Sequence, residues 1–257
     1  MLILIAESKT MTPCDGTVAT EDYRRHRPAF DTEAGAIMER VQSIAPDELA
    51  ACTKLSAQMV RRLQQMAYEF PNKALGEEAI KAFTGVVFKA FSYPTLTPPH
   101  QDAICGRVRI ISSLYGWLRP DDIIKGYRFD FTTPLAPGGM RLAQYWRNDV
   151  TSKLIEDIKA TGSREVLDLL PADAARSIDW KEVARHARIC KAGFREIVDG
   201  ATARTPNAGR LKTLRGLLLR QMIQEDITTT DELRTLSSDS YIPAIDQPAG
   251  TIIFETV

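Results

Sequence analysis

The sequence predicts an α+β protein, a single compact domain over residues 1–257 with a mixed β-sheet core surrounded by helices. Three observations predict it. Met1 to Ala6 is an unbroken apolar run short enough to be a strand buried on both faces. Met59, Val60, Leu63, Met66, Ala67 and Phe70 recur at three-and-four spacing, the apolar stripe of an amphipathic helix over Ser56 to Phe70. No repeat, low-complexity run or linker divides the 257 residues, and a chain of this length buries a full core without staples.

The remaining elements follow in order. Glu7-Ser8-Lys9-Thr10 leaves the first strand at its C-terminal end, where open sheets tend to hold ligands. Lys9 is there a candidate anion-binding or general-base lysine. Thr12 to Phe30 reads as a loop whose Arg24-Arg25-His26-Arg27 run is a solvated face. Asp31 is read as the N-cap of a helix carrying Ala34, Ile37, Met38 and Val41, and Pro46 opens another. Gly76 to Phe91 reads as one helix, and Thr97 to Arg107 opens the helix that feeds the centre of the chain.

That centre, Arg107 to Phe131, reads RVRIISSLYGWLRPDDIIKGYRFDF. Pro120 lacks an amide proton and restricts Arg119, so the apolar run must end near Leu118. Asp121 and Asp122 suit the first turn of a second helix. Helix, tight turn, helix is the expectation, with backbone amides and Arg119 gathered at one corner in a phosphate-facing arrangement. Thr132 to Gly139 is loop, Leu142 to Ala160 a helix, Glu165 to Leu170 and His186 to Val198 strands. Gly209 to Glu225 is a helix with Leu211, Leu214, Leu218 and Met222 inward. Asp231 to Leu236 is a short helix, and Tyr241 to Ala244 and Thr251 to Val257 are terminal strands.

Composition excludes several classes. The hydrophobic share of 44% and charged share of 26% are those of an ordinary soluble protein, and the formal net charge is zero. Cys14, Cys52, Cys105 and Cys190 show no CxxC or metal-ligand spacing, and read as buried thiols in a reducing cytosol. The opening run has no basic residues before it and is too short to span a bilayer. A cytoplasmic protein without a membrane partner or an obligate protein partner is expected. His26, His100 and His186 are scattered, so no metal is expected, and the absence of Gly-rich phosphate motifs gives no reason to expect a cofactor. Charge is nevertheless uneven: Lys181 to Arg220 holds ten Lys or Arg against three Asp or Glu. Lys212 and Arg215 share one face of their helix. With Arg119, Lys125 and Arg128 they would make a phosphate-tracking surface.

The chain resembles the bacterial YaaA family, proteins associated with the peroxide-stress response. MLILIAESKTM, KAFTGVVFKAF, SLYGWLRPDDIIKGYRFDF, LAQYWRNDVTSKL, LKTLRG and TIIFE carry the resemblance, in that order along nearly the whole chain. Glu7, Val86, Phe88, Asp168 and Ser113 depart from the family pattern. The resemblance implies binding of double-stranded or branched DNA through a positive cleft with a helix-hairpin-helix, whose hairpin amides contact phosphates without reading sequence. Carried onto this chain, the hairpin is Ser113, Leu114, Tyr115 and Gly116, and Arg119, Lys125, Arg128, Lys212 and Arg215 supply the charge. This first reading needs no catalysis. The alternative is an enzyme whose pocket gathers Lys9, Asp130, Lys212 and Arg215 around a small anionic or nucleobase-like substrate.

Overall fold

Leu2–Ala6 forms strand β1 at the interior of an eight-stranded sheet, with hydrogen-bonded neighbours on both edges. The structure is a computed structural model that describes residues 1–198 and 202–256. After β1 come α1 (Thr20–Arg25), α2 (Asp31–Ser43), α3 (Pro46–Thr53) and α4 (Ala57–Glu69). The two-residue strand β2 (Glu77–Glu78) precedes α5 (Ala79–Ala82), α6 (Val86–Phe91) and α7 (Pro98–Arg107). Strands β3 (Val108–Ser112), β4 (Gly116–Leu118) and β5 (Ile123–Ile124) form the centre. Then follow α8 (Leu142–Tyr145), α9 (Arg147–Thr161), β6 (Glu165–Asp168), α10 (Ala172–Ala175) and α11 (Trp180–Val183). The chain closes with β7 (Arg188–Val198), β8 (Thr202–Arg204), α12 (Ala208–Gln224), α13 (Thr230–Leu233), β9 (Tyr241–Pro243) and β10 (Thr251–Thr256).

The sheet order is β4-β3-β1-β6-β7-β10-β9, with β8 added to β7. Strands β3, β1, β6, β7 and β10 run parallel, while β4, β8 and β9 are antiparallel to their neighbours. The sheet is therefore mixed, and the fold is α+β. The central parallel strands β1, β3 and β6 are largely apolar because both their faces are covered: Leu2 to Ile5, Ile110, Ile111, Val166 and Leu167 are all essentially inaccessible. One hydrophobic cluster joins the sheet to the helices. A separate two-stranded ribbon pairs β2 with β5.

Four expectations are corrected. The central stretch is strand, turn, strand, and Ile110 pairs antiparallel with Leu118. Pairing with β1 rather than local periodicity decides it: Val108, Ile110 and Ile111 are β-branched and fit a pleated buried surface. Gly76 to Phe91 is broken at Phe83–Gly85, where the Gly85 amide donates to Ser8 Oγ at 3.0 Å. Asp31 is the first residue of α2, not its cap; it receives Arg27 Nε and Lys73 Nζ, each at 3.0 Å. Within Thr12–Phe30, the short α1 appears where loop was expected. Val257, the last residue of the expected final strand, lies outside the described residues.

Candidate active site

The parallel strands β1, β3 and β6 end side by side, and their C-terminal residues carry the polar groups. At the end of β3 the chain turns through Ser113, Leu114 and Tyr115 into Gly116, which has φ +65°. A Cβ there would stand 2.7 Å from the Trp146 ring, so only glycine fits both the dihedral and the space. Ser112 Oγ accepts the amides of Leu114 (3.2 Å) and Tyr115 (3.0 Å). Ser113 N donates to Glu7 Oε2 at 2.7 Å, and Trp146 Nε1 donates to Ser113 O at 2.8 Å. Ser113, Leu114, Tyr115 and Gly116 are all buried. The expected helix-hairpin-helix is thus a β-hairpin, and the amides of Ser113, Leu114 and Tyr115 are spent inside the protein.

What that hairpin builds is a carboxylate site. Glu7 follows β1 directly and accepts three hydrogen bonds, from Ser113 N, from Ser113 Oγ at 2.6 Å, and from the Tyr127 hydroxyl. Ser112 Oγ lies 2.7 Å from the Tyr127 oxygen. Its lone pairs already serve two amides, so its proton points to Tyr127, and Tyr127 in turn donates to Glu7. The residue Glu7 is half-buried and its carboxyl group is enclosed. Burial pushes that carboxyl up to about 7 although the three donors pull it down. Burial and the adjacent Glu7 push the Tyr127 phenol far above the usual range, so it stays protonated.

Tyr127 also lines a cavity of about 470 Å³, together with Lys9, Met59, Arg62, Met66 and Arg128. Lys9 Nζ meets Asp130 Oδ2 at 2.6 Å, joining residues 121 positions apart. Burial alone would raise the Asp130 carboxyl, but hydrogen bonds from Lys9 and Thr132 bring it down to about 2. Arg128 donates to the Lys9 carbonyl and so ties the β1 exit loop to the segment after Tyr127. The cavity combines a thioether wall, a lining in which Lys9, Arg62, Lys125 and Arg128 outnumber Asp15 and Glu69, and a phenol connected to a titratable carboxyl.

A family model described as "Peroxide stress protein YaaA" matches residues 1–244. The chain belongs to this family. A UPF0246 protein of Parabacteroides distasonis is 32% identical over 248 residues, covering 94% of this chain and 93% of that one. A UPF0246 protein of Aliivibrio fischeri is 26% identical over 269 residues, covering 99% and 98%. A UPF0246 protein of Bacteroides thetaiotaomicron is 28% identical over 244 residues, covering 94% and 92%. Membership makes this a peroxide-stress protein at the level of the family.

Within this YaaA-family chain, Lys125 is an internal group. Its ammonium donates to the Phe70 carbonyl at 2.7 Å, to Glu69 O at 3.2 Å and to Asn72 O, capping the C-terminal end of α4. Burial lowers it to about 8. Arg119 is exposed and lies 3.7 Å from Asp121. Lys212 is exposed on α12. Arg215 is half-buried with its Nε unbonded among the described residues; burial lowers its pKa while Asp168 and Asp173 oppose this. Helix α12 packs close on α6, since a Cβ on Gly216 would meet Val87 O at 2.3 Å. Asp168 ends β6 buried, accepts Leu170 N at 2.8 Å, and is raised by that burial.

Lys9 and Asp130 therefore meet, Arg215 acts through the field at Asp168, and Lys212 stays on the surface. Sequence reasoning misses Glu7, Tyr127 and Arg62 at this site. Glu7 had a readable signal, an acid placed directly after a buried strand. Tyr127 stands inside the quoted SLYGWLRPDDIIKGYRFDF motif, but its partner Glu7 lies 120 residues away, so no local pattern shows what it does. No group of three or more His, Cys, Asp or Glu among the described residues is placed to hold a metal. No helix among the described residues is long and apolar enough to cross a membrane.

Proposed function

We propose that this YaaA-family protein acts on a small anionic or nucleobase-like substrate by proton transfer at the Glu7–Tyr127 pair, with Lys9, Arg62 and Arg128 attracting the anion. The observation that carries this is the Glu7 carboxyl held at about 7 and joined through Tyr127 to a cavity. A general base works best with a pKa near the operating pH. In the relay, a substrate atom gives its proton to the Tyr127 oxygen while Tyr127 passes its own to Glu7. The reverse returns a proton to product. A thioether wall from Met59 and Met66 suits a planar ring.

The test is a thermal-shift panel of free nucleobases, nucleoside monophosphates and dicarboxylates on wild type, Lys9→Ala and Glu7→Gln. A ligand that stabilises wild type, less so Lys9→Ala, with a pH dependence lost in Glu7→Gln, is the expected result. A panel without any stabilising compound, or a pH dependence unchanged in Glu7→Gln, would sink this reading.

A second reading is contact with the backbone of duplex or branched DNA. The exposure of Arg119 and Lys212 favours it, with Arg128 and Arg215 as further charges. Fluorescence anisotropy of labelled duplex and four-way junction at two salt concentrations tests it. Salt-sensitive binding weakened by Arg119→Ala or by Lys212→Ala with Arg215→Ala supports it; unchanged binding in both variants excludes it.

A further inference from the structure

A second cavity, of about 310 Å³, opens where the segment after Asp130 meets α8, α9 and α10. Thr132, Arg141, Gln144, Arg147, Asp173 and Arg176 line it. Three guanidinium groups thus face one hollow against a single carboxylate. Arg147 is held by Asp179 at 3.0 Å, and Asp173 Oδ1 accepts the Ala174 amide at 3.0 Å. Arg141 and Arg176 are exposed, and neither has a carboxylate within ion-pair distance among the described residues. Elsewhere in the chain Arg107, Arg109 and Arg220 are each held by a carboxylate or a carbonyl.

Cations crowded around one concavity raise its potential and select for an anion. Guanidinium forks match the oxygens of a phosphoryl group, and two unengaged arginines supply enough donors to hold one. We propose that this cleft binds a small phosphate monoester, with the phosphoryl group on Arg141 and Arg176 and hydroxyls of the organic part on Gln144 and Asp173. The volume suits a sugar-phosphate-sized ligand. A duplex backbone calls instead for cations spread along a track, and an inward carboxylate such as Asp173 would repel it. Thr132 connects the two cavities, because its amide (2.8 Å) and hydroxyl (2.6 Å) both bind Asp130 Oδ1, the carboxylate that holds Lys9. The proposal rests on none of the groups assigned to proton transfer.

Isothermal titration calorimetry of the full chain with ribose 5-phosphate, inorganic phosphate and ribose tests it. Ribose 5-phosphate is expected to bind more tightly than inorganic phosphate, and ribose not to bind. Arg176→Ala and Arg141→Ala are each expected to weaken the ester about tenfold, a loss of one charge-assisted contact. Arg164→Ala, exposed before β6, is the control that leaves binding unchanged. Two exposed positions are used so that misfolding of one variant leaves the other to decide. Absence of ester binding, equal binding of ester and inorganic phosphate, or wild-type binding by both arginine variants overturns the proposal. Displacement of the ester by duplex DNA, lost in Arg176→Ala, would reassign the cleft to nucleic acid and overturn it as well.

Discussion

The Tyr127 hydroxyl donates to the Glu7 carboxylate across 120 residues of sequence, and Ser112 holds the other side of that hydroxyl. The pair couples the exit of the first strand to the segment after the central hairpin. It also fixes what each group does: the phenol keeps its proton and the carboxyl exchanges one near neutrality.

Tyr127→Phe removes a donor that favours the ionised carboxylate, so the Glu7 pKa rises further above 7. Carboxyl-labelled NMR titration reads the shift. The buried bond to Glu7 is also lost, at a cost of about 1–3 kcal/mol of stability in urea unfolding. A Glu7 pKa that stays or falls would contradict the hydrogen-bond assignment.

Stability should fall with pH through the Glu7 titration. Its folded value of about 7 lies above the ordinary 4.5, so its contribution is complete below the ordinary value and is lost as pH rises through the folded one. Between those limits the loss is on the order of 3 kcal/mol at most. Asp122, raised from 3.8 to about 7 by burial, acts in the same direction. Melting temperatures measured from acid to mildly alkaline pH should show a shallower decline in Glu7→Gln than in wild type. Equal slopes would mean that Glu7 ionises normally.

Gly116→Ala forces a side chain into a positive-φ position facing the Trp146 ring. A loss of about 2–4 kcal/mol is expected, from strain plus a displaced buried indole. Chemical denaturation measures it, and a loss below the ordinary surface range would show that the turn relaxes freely.

The four cysteines should react slowly with peroxide. Burial raises all four thiols, Cys14 to about 12 and Cys105 to about 11, so little thiolate exists at neutral pH. Mass spectrometry after brief exposure to dilute hydrogen peroxide should find methionine sulfoxide before sulfenic acid. Rapid oxidation of Cys14 would place a sensor thiol beside the Lys9 cavity.

Strand β1, helix α4, helix α9, strand β6 and helix α12 were legible because one local signal governed each: a short apolar run, or an apolar stripe at helical spacing. Val108 to Ser112 was not, since an apolar run of that length fits a helix or a buried strand and the deciding partner is β1, a hundred residues earlier. The site divides in the same way. Lys9 and Asp130 were legible as charges in suggestive places. The role of Ser113 was inverted, because its amide reaches Glu7 rather than solvent. Lys125, counted as a surface cation, folds inward to free carbonyls at the end of α4, a demand of the helix terminus that composition does not reveal.

The position of β1 has a consequence for biosynthesis. Strand β1 pairs with β3, which begins at Val108, and with β6, which begins at Glu165. At a synthesis rate of about 5–20 residues per second, β1 waits roughly ten to thirty seconds for its second neighbour. During that interval Leu2 to Ile5 is an unpaired apolar strand, the kind of segment that chaperones hold. A chain released before β6 is made keeps an open edge at the centre of its sheet.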